Sequence, residues 1–229
     1  IEQPSEAATL AARAIAAISE PYDIAGHQVV VGTSIGIAIG PIDGAAPEQL
    51  MRNADLALYR AKNAGRGAFH FFEQGMDLQM QARRALERDM RAALTDGQFE
   101  LHYQPVLNLE HDEIVGVEAL IRWHHPERGM ISPGEFIPLA EETGFIVLLG
   151  EWVIRQACSA AAGWANCVKV AVNLSAAQFS SCGLEQTVTS ALASSGLAPS
   201  RLELEITESI LLQESTATLA TLHRLRDLG

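Results

Sequence analysis

Apolar side chains follow two different periods in the first part of the chain. In residues 5–20, 47–67 and 74–97 they recur every three or four positions, which predicts amphipathic helices. Residues 27–40 and 68–72 are instead rich in β-branched and aromatic side chains around glycines, which predicts short strands. This order predicts a small α/β module over 1–73, followed by a connecting helix over 74–97.

After residue 97 the pattern changes to strand, loop and helix, repeated along the chain. Helices are predicted over 134–142, over 146–165, near 184–195 and from about residue 214. The predicted strands are FELHYQPVLNL, IVGVEALIRW, VKVAVNLS and RLELEITES. Strands that alternate with helices predict parallel β/α units. Residues 98–229 amount to about half of the ~250 residues that are typical of a closed eightfold barrel.

Oxygen-bearing side chains stand at the ends of three predicted strands. Glu118 follows IVGV, Asn173 follows VKVAV, and Glu205 and Glu208 lie within RLELEITES. In a β/α barrel the carboxyl ends of the strands converge on the active site. Because carboxylate and amide oxygens are the ligands that hard cations prefer, these residues predict a site for Mg²⁺ or Mn²⁺.

Each of these residues also has a simpler interpretation. Glu118 could pair with Arg122, which lies four residues on and therefore on the same face of the strand. Asn173 could cap the helix that follows it. Glu203 and Glu205 alternate with apolar residues, and on a solvated sheet face this alternation would carry no functional meaning.

The charge balance excludes one class of partner. The chain has 16 basic and 28 acidic residues and a net charge of -12, which argues against binding of duplex DNA or RNA through its phosphates. An anionic ligand therefore has to be held locally, by a few placed cations or by a metal. No apolar run reaches the ~18 residues that a membrane-spanning helix needs.

The remaining reactive side chains predict no further site. Cys158, Cys167 and Cys182 show no CxxC spacing, which favours free thiols in a reducing cytoplasm. His124 and His125 follow a predicted strand, and we expect them to be loop residues with a structural role.

Four blocks of the second half resemble the EAL domain of cyclic di-GMP phosphodiesterases, in that family's order and approximate spacing. They are YQPVLNL, VEALIRWHHPERGMISPGEFIPLAEETGFI, VAVNLSAAQF and LELEITES. The first half resembles the C-terminal part of a GGDEF (diguanylate cyclase) domain through TSIGIAIG and LMRNADLALYRAKNAGRGAFHFF. The resemblance implies a partial GGDEF α/β module followed, over 98–229, by the N-terminal half of an EAL-type (β/α) TIM-like barrel.

The resemblance implies roles for individual residues in the second half. Glu118, Asn173 and Glu205 correspond to metal ligands, and Glu118 also to a catalytic residue. The second glutamate of the E-x-T-E block, Glu208, corresponds to a catalytic residue that helps to hold an active-site loop. Arg122 corresponds to a side chain that contacts a phosphate of the ligand.

Further correspondences concern ligand contacts in both halves. Gln104 and the segment around Pro138 resemble positions that line the substrate pocket. In the GGDEF half, Lys62 and Arg66 resemble the cations that contact the triphosphate of GTP, although two cations at this spacing would by themselves indicate a solvated face. Gly67 stands where that family commonly has asparagine.

The resemblance also implies what the chain lacks. The GGDEF signature would lie before residue 1, and the family's aspartate pair, lysine and glutamate would lie after residue 229. The chain begins with Ile and stops at a predicted helix, so we expect a piece of a longer protein that other segments could anchor to a membrane. We expect this piece alone to be inactive.

The implied activity of the parent protein is hydrolysis of cyclic di-GMP to linear pGpG by metal-assisted phosphodiester cleavage. Two alternatives stay open from the sequence. An EAL domain can keep the pocket and signal by ligand binding without turnover, and the GGDEF part can be a regulatory domain that binds GTP without cyclising it. The resemblance also suggests a homodimer through the EAL domain.

Overall fold

The computed structural model describes residues 4–164, 168–181, 183–206 and 216–229. The chain forms two compact units, 1–85 and 86–229. Among the described residues no helix is long and apolar enough to cross a bilayer. The elements of the first unit are α1 (Ser5–Ile18), β1 (Tyr22–Ile24), β2 (His27–Val29), β3 (Ile35–Ile37), α2 (Pro47–Asn63) and β4 (Phe69–Phe71), after which α3 (Met76–Thr95) begins.

The first unit is organised around a parallel pair of short strands, β3 and β4. Helix α2 packs on β3 at Gly36, where a Cβ atom would collide with the backbone of Ala54 and Leu58. Only glycine therefore permits this approach. A separate antiparallel hairpin, β1–β2, was not predicted in full, because only its second strand lies in an apolar segment.

The second unit alternates strands and helices as the sequence predicts. Strand β6 extends two residues further at its C-terminal end than expected and includes His124 and His125, which pair with a short strand and are not loop residues. The helix expected near 184–195 spans Leu184–Ser195. After α3 the elements are β5 (Phe99–Asn108), β6 (Glu113–His125), β7 (Gly129–Ile131), α4 (Pro133–Glu142), α5 (Ile146–Ala162), β8 (Lys169–Leu174), α6 (Ala176–Ser180), α7 (Leu184–Ser195), a 3₁₀ turn (Pro199–Arg201), β9 (Leu202–Ile206) and α8 (Thr216–Asp227).

The sheet of the second unit has the strand order β5-β6-β8-β9, with β7 on β6. Strands β6, β8 and β9 are parallel, as predicted, but β5 is antiparallel to β6. The prediction of uniformly parallel units was therefore wrong for the first pair. The connection over 109–112 is too short for the crossover of a dozen or more residues that parallel pairing requires. The sheet represents part of a TIM-like barrel.

The two faces of this sheet differ in chemistry. One face is apolar and packs on α5 and α7, where Val170, Val172 and Leu202 lie in a core with Ile154 and Ala157. A second core continues this face at the end of β6 and contains Trp123, Phe99 and Phe136. The other face carries polar side chains, which are described below.

Candidate active site on the polar face of the sheet

Three of the predicted metal ligands lie on adjacent strands of the sheet. Asn173 Nδ2 on β8 donates a hydrogen bond of 2.7 Å to Glu118 Oε1 on β6. Glu205 on β9 is the direct cross-strand partner of Asn173. Glu118 pairs with Ala171, two residues before Asn173, so the register places all three side chains on the same face of the sheet.

The hydrogen bond decides between two interpretations of Glu118. A carboxylate that alternates with core residues could pair with Arg122 on its own strand, but Glu118 Oε1 accepts the amide of Asn173. Arg122 Nη1 instead donates 2.9 Å to the backbone oxygen of Ile121. Asn173 is a strand residue, and Ser175 occupies the N-cap position of α6.

Gln104 and Arg122 lie on the same sheet face as Glu118. Gln104 on β5 is directly opposite Glu118 in the antiparallel register, and Arg122 follows Glu118 by four residues along β6. Directly opposite residues of an antiparallel pair share a face at about 4.5–5.5 Å between their Cβ atoms. The structure thus brings together five of the residues singled out from the sequence: Gln104, Glu118, Arg122, Asn173 and Glu205.

A cavity of about 590 Å³ adjoins these residues, and Arg122 and Asn173 are part of its lining. Its other walls are mostly apolar and include Ile137 of α4 and Leu149 of α5. Pro138 lies within α4 next to Ile137 and is itself exposed. An apolar cavity with a few convergent polar groups is the usual form of a small-molecule site.

The end of β8 is held by a tight contact behind it. Gln178 of α6 is 4% exposed, and its Oε1 accepts a 2.9 Å hydrogen bond from the backbone nitrogen of Ser175. Gly150 of α5 faces this side chain so closely that a Cβ atom there would collide with it. Gln178 thereby fixes the chain immediately after Asn173.

The donor set of the predicted metal site fits a hard divalent cation. Glu118 and Glu205 supply carboxylate oxygens, and the Asn173 amide, whose nitrogen faces Glu118, is left with its oxygen available. The two carboxylates flank Asn173, one on each side of β8, and a cation would offset their negative charge. Glu208, the third acidic residue of the prediction, lies outside the described residues.

A cluster that the sequence analysis did not single out lies further along the same face. Glu100 Oε1 is 2.6 Å from His102 Nε2 and 2.6 Å from His124 Nε2. These hydrogen bonds lower the pKa of the Glu100 carboxyl group, and the bond from His124 has the larger effect. The signal was the even spacing of Glu100 and His102, but only the antiparallel register of β5 and β6 brings His124 beside them.

The GGDEF half places its two predicted cations at the end of α2. Lys62 is exposed in the last turn of the helix, and Arg66 is exposed beyond it with a left-handed φ of 62°. Gly67 also has a left-handed φ, of 61°. Asparagine tolerates this conformation better than most residues, which accounts for glycine at a position where asparagine is common.

Cys158 lies in the main core and is fully buried. Burial raises the pKa of its thiol to about 11, so the group stays protonated and unreactive at neutral pH. Cys167 and Cys182 lie outside the described residues.

Comparison with known proteins identifies the families to which the two halves of the chain are similar. The profile of the EAL domain matches residues 87–229, and the profile of the diguanylate cyclase GGDEF domain matches residues 1–68. The chain belongs to the EAL domain family, preceded by part of a GGDEF domain.

Two relatives from Pseudomonas aeruginosa match along nearly the whole chain. The bifunctional diguanylate cyclase/cyclic di-GMP phosphodiesterase MucR is 45% identical over 99% of the chain, which spans 34% of MucR. The cyclic di-GMP phosphodiesterase NbdA is 39% identical over 100% of the chain, which spans 30% of NbdA. The chain thus covers about a third of these relatives.

A solved structure of the PaMucR phosphodiesterase in complex with c-di-GMP superimposes with a TM-score of 0.61 and 45% identity. The match covers 63% of this chain and 60% of that one. The architecture of the second unit is therefore that of an EAL domain, in agreement with the partial TIM-like barrel predicted from the sequence.

Proposed function

We propose that the whole protein to which this chain belongs hydrolyses cyclic di-GMP to linear pGpG. The observation that carries the proposal is the contact between Glu118 and Asn173, with Glu205 in register beside them, at the edge of a cavity lined by Arg122. Oxygen ligands, a phosphate-binding cation and an apolar cavity are what metal-assisted cleavage of a nucleotide diester needs.

Glu118, Asn173 and Glu205 hold one or two Mg²⁺ or Mn²⁺ ions in this proposal. An ion bound there lowers the pKa of a water ligand and offsets negative charge on the phosphate oxygens. The Asn173 amide keeps the Glu118 carboxylate in place through their hydrogen bond. A cation bound by these residues offsets their negative charge, and the site can then accept an anionic substrate although the chain as a whole is acidic.

Substrate contacts complete the proposed site. Arg122 binds and orients a phosphate, for which the planar guanidinium group is well suited. Gln104 and the α4 segment around Pro138 contact the rest of the dinucleotide, and the apolar wall formed by Ile137 and Leu149 excludes water. We assign Glu208, which lies outside the described residues, a catalytic role in helping to hold an active-site loop.

The first unit has a separate proposed ligand. We assign residues 1–73 to the GGDEF domain, 74–97 to the connecting helix and 98–229 to the EAL domain. Lys62 and Arg66 bind the phosphates of GTP in this proposal, and both are exposed as such a role requires. We place this region in the cytoplasm, where its thiols stay reduced, and propose that EAL domains of two copies pair.

The test is a hydrolysis assay on the whole protein with Mg²⁺ or Mn²⁺, in which release of linear pGpG is measured. Glu118→Ala should reduce turnover by more than about 100-fold, because loss of a metal ligand exceeds the 10–100-fold loss typical of its outer-shell partners. Glu203→Gln is the matched control, since Glu203 lies on the same face but pairs with Lys169 at 2.6 Å.

The possible outcomes separate the alternatives. Turnover by wild type that Glu118→Ala leaves unchanged would refute the metal assignment. Binding of cyclic di-GMP by wild type without any pGpG release would identify a receptor instead of an enzyme. In the described part of the sheet, β9 is an edge strand that pairs only with β8, so the sheet is open and does not form a closed barrel. For this reason we expect the 229-residue chain alone to be inactive.

A further inference from the structure

Glu100, His102 and His124 form a compact group of potential ligands on β5 and β6. One ligand atom from each side chain lies within 4.8 Å of the other two. All three side chains are about half exposed, at 49%, 52% and 49%, so an ion can reach them and the side chains can adjust.

The backbone fixes this group more firmly than the exposure of its side chains suggests. Glu100 is directly opposite Arg122 in the β5–β6 register, so His102 and His124 flank it, one along its own strand and one diagonally across. The nitrogen of His124 also donates a 2.9 Å hydrogen bond to Gln98 O, which extends the ladder beyond the last paired residues. The three Cα positions are therefore set by a regular sheet.

The donor set differs in kind from that of Glu118, Asn173 and Glu205. Imidazole nitrogens favour borderline ions such as Zn²⁺, whereas Mg²⁺ favours oxygen ligands only. Two histidines, one carboxylate and an open position are a recurrent ligand set for zinc. With bonds of about 2.0–2.1 Å, neighbouring ligand atoms would stand roughly 3.4 Å apart, so the observed 2.6 Å contacts must open by less than 1 Å.

The group is also spatially distinct from the hard-cation site. His102 pairs with Leu120, and Gln104 pairs with Glu118, so Glu100 stands four residues along β5 from the position opposite Glu118. Four residues of a strand span about 13 Å. Glu100 and Glu118 therefore cannot bind the same ion.

We propose that Glu100, His102 and His124 form a second metal site, specific for a borderline divalent ion of the Zn²⁺ class. A bound ion replaces the two imidazole–carboxylate hydrogen bonds and links β5 to β6 beside Arg122. The proposal does not depend on hydrolysis, because it concerns binding of an ion by side chains outside the proposed catalytic set.

The test is isothermal titration of the untagged whole protein with Zn²⁺, in the presence of millimolar Mg²⁺ to fill the oxygen site. Binding of Co²⁺, followed by its visible absorption, is the second readout because a four-coordinate site absorbs much more strongly than a six-coordinate site of oxygen ligands. The variants are His102→Gln and His124→Gln. The matched controls are His111→Gln, which removes an exposed histidine from the β5–β6 connection, and Glu118→Gln, which alters the oxygen site.

Wild type should bind Zn²⁺ with Mg²⁺ present, and either histidine variant should weaken this binding at least 10-fold and remove the Co²⁺ absorption. His111→Gln and Glu118→Gln should leave both unchanged. Absence of Zn²⁺ binding by wild type would overturn the proposal, and so would binding that His102→Gln and His124→Gln do not weaken. Glu118→Gln that abolishes hydrolysis but keeps Zn²⁺ binding would separate the two sites.

Discussion

The two faces of the β5–β6–β8–β9 sheet are made from the same strands, but one face forms the core and the other carries the residues of the proposed site. Along β6, Ala119 and Trp123 are buried against helices. Glu118 and Arg122, which directly precede them in the chain, point to the polar face. Along β8, Val170 and Val172 are fully buried and Asn173 is exposed. The fold depends on one set of alternate residues and the proposed chemistry on the other.

This separation has a physical cause. Successive residues of a strand point to opposite faces, so a change on one face leaves the packing of the other face intact. Hydrophobic burial and close packing stabilise the apolar face, whereas exposed ion pairs on the polar face contribute little. Substitutions on the two faces should therefore differ sharply in their effect on stability.

The largest loss of stability is expected from Trp123→Ala. Trp123 is fully buried, with its ring 5.3 Å from that of Phe99 and 5.6 Å from that of Phe136 between centroids. Removal of so large a buried ring should lower the free energy of unfolding by about 3–5 kcal/mol, measured by urea denaturation.

Trp123→Phe is the matched control for this prediction. It keeps an aromatic ring in the core but removes the indole nitrogen, which donates a 3.1 Å hydrogen bond to Gln98 Oε1. The loss for Trp123→Phe should therefore be clearly smaller. Equal losses for the two variants would show that the hydrogen bond, and not the packing of the ring, dominates at this position.

An intermediate loss is expected from Gly150→Ala, which acts where the apolar core meets the cavity. The added Cβ atom would displace the buried side chain of Gln178 and cost about 1–3 kcal/mol of unfolding free energy. If the proposed function is correct, cyclic di-GMP binding by the whole protein should also weaken, since Gln178 fixes the chain after Asn173. Calorimetric titration and denaturation measure the two effects.

The double variant Gly150→Ala with Gln178→Ala tests this mechanism. The smaller side chain makes room for the new Cβ atom, so the double variant should lose less stability than the two single losses added together. Strictly additive losses would show that the steric conflict is not the cause.

The smallest loss is expected from Glu203→Gln on the polar face. Glu203 and Lys169 form an ion pair of 2.6 Å, but both side chains are about half exposed. Such pairs contribute roughly 0–1 kcal/mol, so the free energy of unfolding should change by about 0.5 kcal/mol or less. A loss above 1 kcal/mol would contradict the distinction between the two faces.

The sequence predicted the elements of the second unit well, because their apolar periods are regular. The helix over Leu184–Ser195 and the strands that contain Glu118, Asn173 and Glu205 lie where the pattern indicates. Asn173 and Glu205 lie near the ends of their strands as the pattern indicated, but Glu118 lies in the middle of β6 and not at its end. The expected activity was inferred from the blocks of sequence that resemble an EAL domain, and not from the pattern of apolar and polar residues.

Features that depend on pairing between strands could not be predicted. The antiparallel direction of β5 and its register with β6 are properties of long-range contacts, and the sequence period does not encode them. The group of Glu100, His102 and His124 was missed for this reason, since His124 lies 24 positions from Glu100 along the chain. The hydrogen bond between Asn173 and Glu118 joins residues 55 positions apart.

The amide at position 173 also sets the charge of the proposed oxygen site. Two carboxylates, Glu118 and Glu205, and one neutral amide carry a total charge of about −2 when both acids are ionised, which a single divalent ion balances. Asn173→Asp keeps the shape of the side chain but replaces a hydrogen-bond donor with an acceptor. The total charge of the three side chains then becomes about −3. The hydrogen bond to Glu118 would become a repulsion, so the choice of asparagine over aspartate matches the site to the charge of its ion.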